Sequence, residues 1–147
     1  MEEYQSIGKY IGEIHRYSCM HFSKEFNKFG IGSGQYLFLL SLYKNDGITQ
    51  EGLTEKLKLD KATTARAIKK LEDQGYVVRI KKETDRRAYS LRLTNKAQEI
   101  KEEVYLIMNE WECKIGKCFD KEESENLIEL LRKLANSSLS SKENINE

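Results

Sequence analysis

The apolar spacing of this chain changes twice, and the two changes limit the folds open to it. Up to Gly75 apolar residues recur every three or four positions, from Tyr76 to Leu93 they alternate, and after Thr94 the helical spacing returns. Tyr76, Val78 and Ile80 on one side, and Tyr89, Leu91 and Leu93 on the other, flank the charged stretch Lys82-Glu83-Thr84-Asp85-Arg86-Arg87. That pattern reads as a β-hairpin with a longer loop, set between helices. Proline is absent from all 147 residues, which favours long uninterrupted helices around it. The fold class expected is mainly α with one small hairpin.

Punctuation residues divide the helical parts. Ile7, Ile11, Ile14, Phe22, Phe26 and Phe29 form the stripe of one long amphipathic helix from about Tyr4 to Phe29, with polar Ser18 at one stripe position. Gly30-Ile31-Gly32-Ser33-Gly34 ends it, and Ser33 is a candidate cap for the next helix. Gln35 to Lys44 is apolar nearly all round and should be buried. Asn45-Asp46-Gly47 makes a turn, Ile48 is a candidate strand residue, and Thr49 caps a helix through Leu53 and Leu57. Asp60 caps a further helix from Lys61 to Gln74, with Gly75 at its left-handed end. Ala62, Ala65, Ile68 and Leu71 are read as that helix's inner stripe. Thr94 caps a long helix carrying Ile100, Val104, Ile107, Met108, Trp111, Ile115 and Cys118. Asp120 and Glu123 form a capping box for a last helix faced by Leu127, Leu130, Leu131 and Leu134.

Composition narrows the function. No apolar run approaches the ~20 residues of a membrane span, and the N-terminus lacks the basic and apolar regions of a signal peptide. A cytoplasmic protein is expected. The three cysteines, Cys19, Cys113 and Cys118, include no CxxC pair, and His15 and His21 lie far from the last two. Neither a disulfide framework nor a zinc site is expected, and no cofactor is implied. The net charge of +1 conceals an asymmetry: Thr49 to Lys96 carries thirteen Lys and Arg against seven Asp and Glu, while the rest is acidic. A basic middle suggests contact with a polyanion, a solvated charged face being the alternative.

The order helix, helix, helix–turn–helix, hairpin, helix, helix places the basic excess on a helix–turn–helix followed by a basic hairpin, a winged helix. Such an arrangement inserts one helix into the major groove of double-stranded DNA while the wing reaches phosphates or the adjacent minor groove. Thr63, Arg66 and Lys70 share one face of that helix, with Lys61, Thr64 and Lys69 beside them. The threonine hydroxyls can bond bases or phosphates, and Arg66 can fork onto guanine.

From Ile48 to Thr94 the chain resembles the MarR family of bacterial transcription factors. The resemblance rests on the Thr49–Leu57 helix, the opening Asp60-Lys61-Ala62-Thr63, the run Leu71-Glu72-Asp73-Gln74-Gly75-Tyr76, Asp85-Arg86-Arg87, and Leu91, Leu93 and Thr94. Ile31-Gly32-Ser33-Gly34-Gln35-Tyr36 is similar to the loop before the family's second helix, although the proline often found there is missing. The resemblance implies one domain over 1–147, with a winged helix-turn-helix in 31–94 and dimerisation helices in 1–30 and 95–140. It implies that arginines of the wing, Arg86 and Arg87 here, enter the minor groove, with Asp85 orienting them by ion pairing. It also implies a homodimer on a palindromic operator, acting as a repressor that responds to a small aromatic or anionic effector. His15, Arg16, Tyr17, Tyr36, Tyr43 and Trp111 are the candidate lining of the effector cleft.

Two other readings stay open: a winged-helix module that binds protein and has no operator, and a regulator that senses oxidants through a cysteine. Cys19 lies later in the first helix than the family's redox position, and buried inert thiols are expected. Enzymatic function is disfavoured, because no metal cluster, phosphate loop or nucleophile–base pattern is visible. The wing supplies the sharpest test. Replacing Arg86 and Arg87 together with Ala should weaken DNA binding and flatten its dependence on salt, by about 0.9 in log–log slope for each phosphate no longer neutralised. An unchanged affinity and slope would remove the wing from the interface.

Overall fold

Short polar side chains mark where helices begin, and each caps a backbone N–H at the start of its helix. In the computed structural model, which describes residues 5–85 and 88–137, Ser6 caps α1 (Ile7–Phe26), Thr49 caps α3 (Gln50–Leu57), Asp60 caps α4 (Lys61–Asp73) and Thr94 caps α5 (Asn95–Glu99). Each cap satisfies one of the N–H groups that a helix start leaves without a partner. Between α1 and α3 lies α2 (Tyr36–Lys44). The antiparallel strands β1 (Val77–Lys81) and β2 (Tyr89–Leu93) follow α4, and α6 (Lys101–Gly116) and α7 (Lys121–Ala135) complete the chain.

The chain forms two compact units, Met1–Ile107 and Met108–Glu147. The core of the first is built from Phe22, Phe26, Ile31, Phe38, Leu39, Leu42, Leu53, Ile68, Leu71, Tyr76, Val77, Leu91, Val104 and Ile107, all buried. In this unit α4 packs on α2, α3 and β1, so the helix–turn–helix and the hairpin share one core. In the second unit Asp120 and Glu123 make the reciprocal capping box expected for α7, yet no residue of α7 is buried.

The hairpin pairs Val77 with Leu93, Arg79 with Leu91 and Lys81 with Tyr89. Its root is anchored by buried Val77 and Leu91 and by a third stretch of backbone. The Gly47 N–H donates to the Leu91 carbonyl at 2.8 Å and the Leu91 N–H to the Ile48 carbonyl at 2.9 Å. The bridge residue at this sheet edge is Thr49, opposite Ser90, and not Ile48, which contributes only its carbonyl. Val78 and Ile80 lie on the opposite face and stay exposed, so the alternation read in the sequence buries only the root of the wing.

Several local expectations are corrected. The first helix ends at Phe26, and a 3₁₀ turn over Asn27–Phe29 carries the chain to Gly30, at φ 69°. Ser33 does not cap α2; the Gln35 side-chain carbonyl instead accepts from the Gly32 N–H at 2.9 Å, closing the loop on itself. The helix after Thr94 is interrupted at Ile100, which separates α5 from α6. On α2, Leu37 is exposed although its neighbours Phe38 and Leu39 are buried.

The inner stripe of α4 is Thr64, Ala67, Ile68 and Leu71, whereas Ala62 is exposed and Ala65 half-buried. A helix turns about 100° per residue, so a stripe stepping strictly by threes drifts about 60° per step. Ala62 and Leu71, nine residues apart in the numbering, therefore lie on opposite sides of the helix. Mixed steps of three, one and three hold one face.

Leu91 ties the wing to the core and is fully buried. Leu91→Ala should lower the free energy of unfolding by about 2–5 kcal/mol, measured by urea denaturation. A loss under about 0.5 kcal/mol, the size of an ordinary surface change, would mean that the wing root contributes little to the fold.

Candidate nucleic-acid interface

The outward side of α4 is defined by what its inward side buries. With Thr64, Ala67, Ile68 and Leu71 facing the core, Lys61, Arg66, Lys69 and Lys70 are exposed, and Thr63 is half-buried at the start of the helix. Four cations on one helix, with the hairpin next in the chain, present positive charge suited to a phosphate backbone.

Thr64 is corrected. Its side chain is fully buried, and its hydroxyl donates to the Asp60 carbonyl at 3.1 Å. It therefore supports the core face of α4 and cannot reach a base. Thr63 is also engaged. Asp60 accepts from the Thr63 N–H at 2.8 Å and from its hydroxyl at 2.6 Å, and the Arg66 guanidinium donates to the same Thr63 oxygen at 3.3 Å. The Thr63 side-chain hydrogen bond, then its backbone one, holds the Asp60 carboxyl below the ordinary aspartate value. Lys69 donates to Asp73 at 2.7 Å, a solvent-exposed pair that a phosphate can displace at little cost. Lys70 and Lys61 stand exposed.

At the wing, Arg79 pairs with Glu72 at 3.2 Å, joining β1 to the end of α4. The Asp85 carbonyl accepts from the Ala88 N–H at 3.1 Å, and Asp85 borders a groove shared with Thr49, Gln50, Arg79 and Tyr89. Arg86 and Arg87 lie outside the described residues.

Beyond α4 the chain is clasped. Lys96 donates to the Gln74 carbonyl at 2.6 Å and lies over the Tyr76 ring at 4.5 Å. The Thr94 hydroxyl donates to the Gly75 carbonyl at 2.6 Å, the Tyr76 hydroxyl to the Phe29 carbonyl at 2.6 Å, and the Gln74 amide to the Gly30 carbonyl. The sequence identifies Gly75 as the helix end and Thr94 as a cap. It does not reveal the clasp, because the bonds from Gln74 and Tyr76 span 44 and 47 residues.

The residues assigned to an effector cleft fall on α1, α2 and α6. His15, Arg16 and Tyr17 are exposed on α1, where His15 contacts the Cys19 thiol at 3.5 Å and the Tyr17 hydroxyl meets Glu13. Tyr36 stacks on Phe26 with ring centroids 5.4 Å apart and packs at a tilt against Phe22 at 4.5 Å. Tyr43 donates to the Ala97 carbonyl and packs on Tyr105. Burial raises the pKa of both phenols, so they remain neutral donors. Trp111 is half-buried in α6. The cysteines also depart from expectation: Cys113 and Cys118 are exposed and Cys19 is half-buried, and all three are free.

A helix–turn–helix with an exposed basic second helix, followed by a hairpin on the same core, defines a winged-helix DNA-binding protein. The comparisons agree. Residues 31–89 match the MarR family. The chain is 32% identical over 110 residues to the HTH-type transcriptional regulator BilQ of Clostridium symbiosum, covering 75% of this chain and 76% of BilQ. Its fold matches a MarR transcriptional regulator from Methanosarcina mazei with TM-score 0.82 and 41% identity, over 90% of this chain and 96% of that one. It also matches a MarR-family regulator from Listeria monocytogenes solved with 26mer DNA, with TM-score 0.82 and 28% identity over 90% and 88% of the two chains. The chain belongs to the MarR family. It is a DNA-binding transcriptional regulator and not an enzyme.

The Asp60 cap gives this helix a pH signature. A carboxyl whose pKa is lowered on folding stabilises the fold above its unfolded value, and that stability is lost as pH falls through the folded one. Asp60→Asn still caps α4 but cannot titrate. The melting temperature of wild type relative to Asp60→Asn should therefore fall as pH drops through and below the ordinary aspartate value of 3.8. A difference independent of pH would show that the Asp60 charge adds nothing to the cap.

Proposed function

We propose that this protein is a homodimeric repressor that reads a palindromic operator with two copies of α4. The observation that carries the reading is the two-sided α4, buried through Thr64, Ala67, Ile68 and Leu71 and exposing Lys61, Arg66, Lys69 and Lys70. Arg66 is assigned to a base edge, and Lys61, Lys69 and Lys70 to phosphates. Thr63 stands beside Arg66 at the same end of the helix. In the wing, Asp85, Arg86 and Arg87 take the minor-groove role that the family resemblance implies. The Listeria relative solved with DNA supports the same docking for this chain.

The dimer reading rests on apolar surface. Ile7, Ile11, Ile14 and Met20 of α1, and Ile128, Leu130 and Leu131 of α7, are each 43% exposed or more. Apolar patches of this kind mark association sites on soluble proteins. A second copy related by a twofold axis covers both sets and presents two α4 helices to matching half-sites. On this reading residues 1–30 and 95–140 make the dimer, and 31–94 the DNA-binding part. Repression then needs only that the bound dimer exclude other proteins from the same DNA. The small aromatic or anionic effector is assigned to the α1 surface carrying His15, Arg16 and Tyr17, closed by the second copy.

Light scattering should give twice the mass of the chain, and selection from a randomised duplex pool should return an inverted repeat with half-sites about one helical turn apart. Leu130→Asp combined with Leu131→Asp should yield a monomer whose affinity for that duplex falls at least about 100-fold. A wild-type monomer that selects no common sequence would instead favour the protein-binding module.

A further inference from the structure

The hydrogen-bond directions at the start of α4 are constrained by proton count. A threonine hydroxyl has one hydrogen to give and lone pairs with which to accept. In Thr63 the hydrogen goes to a carboxylate, since the hydroxyl lies 2.6 Å from Asp60 Oδ2 and a carboxylate only accepts. The Thr63 oxygen is thereby left to accept, and the Arg66 guanidinium donates to it at 3.3 Å. The Asp60 Oδ1 atom holds the Thr63 N–H at 2.8 Å, which fixes the carboxylate to the backbone of the helix start. Three side chains are thus linked in one sense, from the exposed guanidinium through the hydroxyl to the anchored carboxylate.

We propose that Thr63 is a positioning residue for Arg66, and that the Asp60–Thr63–Arg66 chain sets base discrimination without Asp60 or Thr63 touching a base. The proposal rests on the reading of Arg66 as the base contact of α4. Binding of a long side chain costs its rotamer freedom, and a guanidinium already held by one N–H loses less of it. The rest of the donor fork stays available for the O6 and N7 of a guanine. Asp60 also offsets part of the Arg66 charge, which favours the directional base contact over nonspecific attraction to phosphate. Thr63, with its hydrogen committed to Asp60, has no donor for a base.

The test uses the full chain and the duplex that wild-type protein selects from a randomised pool, with each base pair of a half-site varied in turn. Thr63→Val removes the hydroxyl at nearly constant volume and leaves Asp60 its bond to the backbone N–H. It should reduce preference at the base pair read by Arg66 by about 3- to 10-fold, part of the roughly 5- to 150-fold that a full bidentate contact supplies. Thr63→Ser should retain the preference. Adding Thr63→Val to Arg66→Ala should change base preference no further. Unchanged preference in Thr63→Val, or a Ser variant that behaves like Val, would overturn the relay while leaving Arg66 a base reader. The same loss on the Arg66→Ala background would show that Thr63 reads a base itself. Should Arg66→Ala leave base preference intact, the reading of Arg66 fails, and the relay falls with it.

Discussion

The burial of one face of α4 is the constraint on which the rest of the structure depends. Ile68 and Leu71 are fully enclosed, and each contributes on the order of 2 kcal/mol by leaving water. Because that face must turn inward, the rotation of the helix about its axis is set, and Lys61, Arg66, Lys69 and Lys70 are left on the exposed side. Fold and interface are two sides of one packing decision. Thr64 makes the point sharply: a polar residue between two DNA-facing candidates is enclosed because its hydroxyl finds the carbonyl of Asp60, one turn earlier.

The two ends of α4 are held by different means. At its start the anchoring is local, through Asp60 and Thr63 within a single turn. At its end the anchoring is long-range: Gln74, Gly75 and Tyr76 are bonded to Gly30, Thr94 and Phe29, while Lys96 covers the Tyr76 ring. Neutral hydrogen bonds of this type contribute about 0.5–1.5 kcal/mol each, but their geometric effect is larger. They bind the exit of α4 to the loop after α1 and to the start of α5.

Placing two charged side chains on one helix face does not say what they do. Lys69 and Lys70 are adjacent and both exposed, yet Lys69 is paired with Asp73 one turn along, whereas Arg66 reaches back to Thr63. Helix periodicity made the candidates visible, and their partners distinguish them. The effector assignments show the same division. Tyr36 and Tyr43 share a helix with aromatic character, but one packs on Phe22 and Phe26 and the other bonds to Ala97.

By itself the sequence determined the order of elements, the caps at Thr49, Asp60, Thr94 and Asp120, the hairpin between Tyr76 and Leu93, and the basic excess around it. All of these depend on neighbours within about one helical turn or one strand pair, where backbone geometry leaves few alternatives. Only the tertiary structure decided that Thr64 and Ala67 face inward while Ala62 faces out, and that Ser33 does not cap α2. It also decided that the first helix stops at Phe26, and that the end of α4 is bonded across more than forty residues to Gly30 and Phe29. The physical reason is that Ile68 and Leu71 mark the inner side of α4, while the small residues Ala62, Thr64, Ala65 and Ala67 before them differ too little to say which of them join it. The choice falls to whatever α2, α3 and β1 place against it.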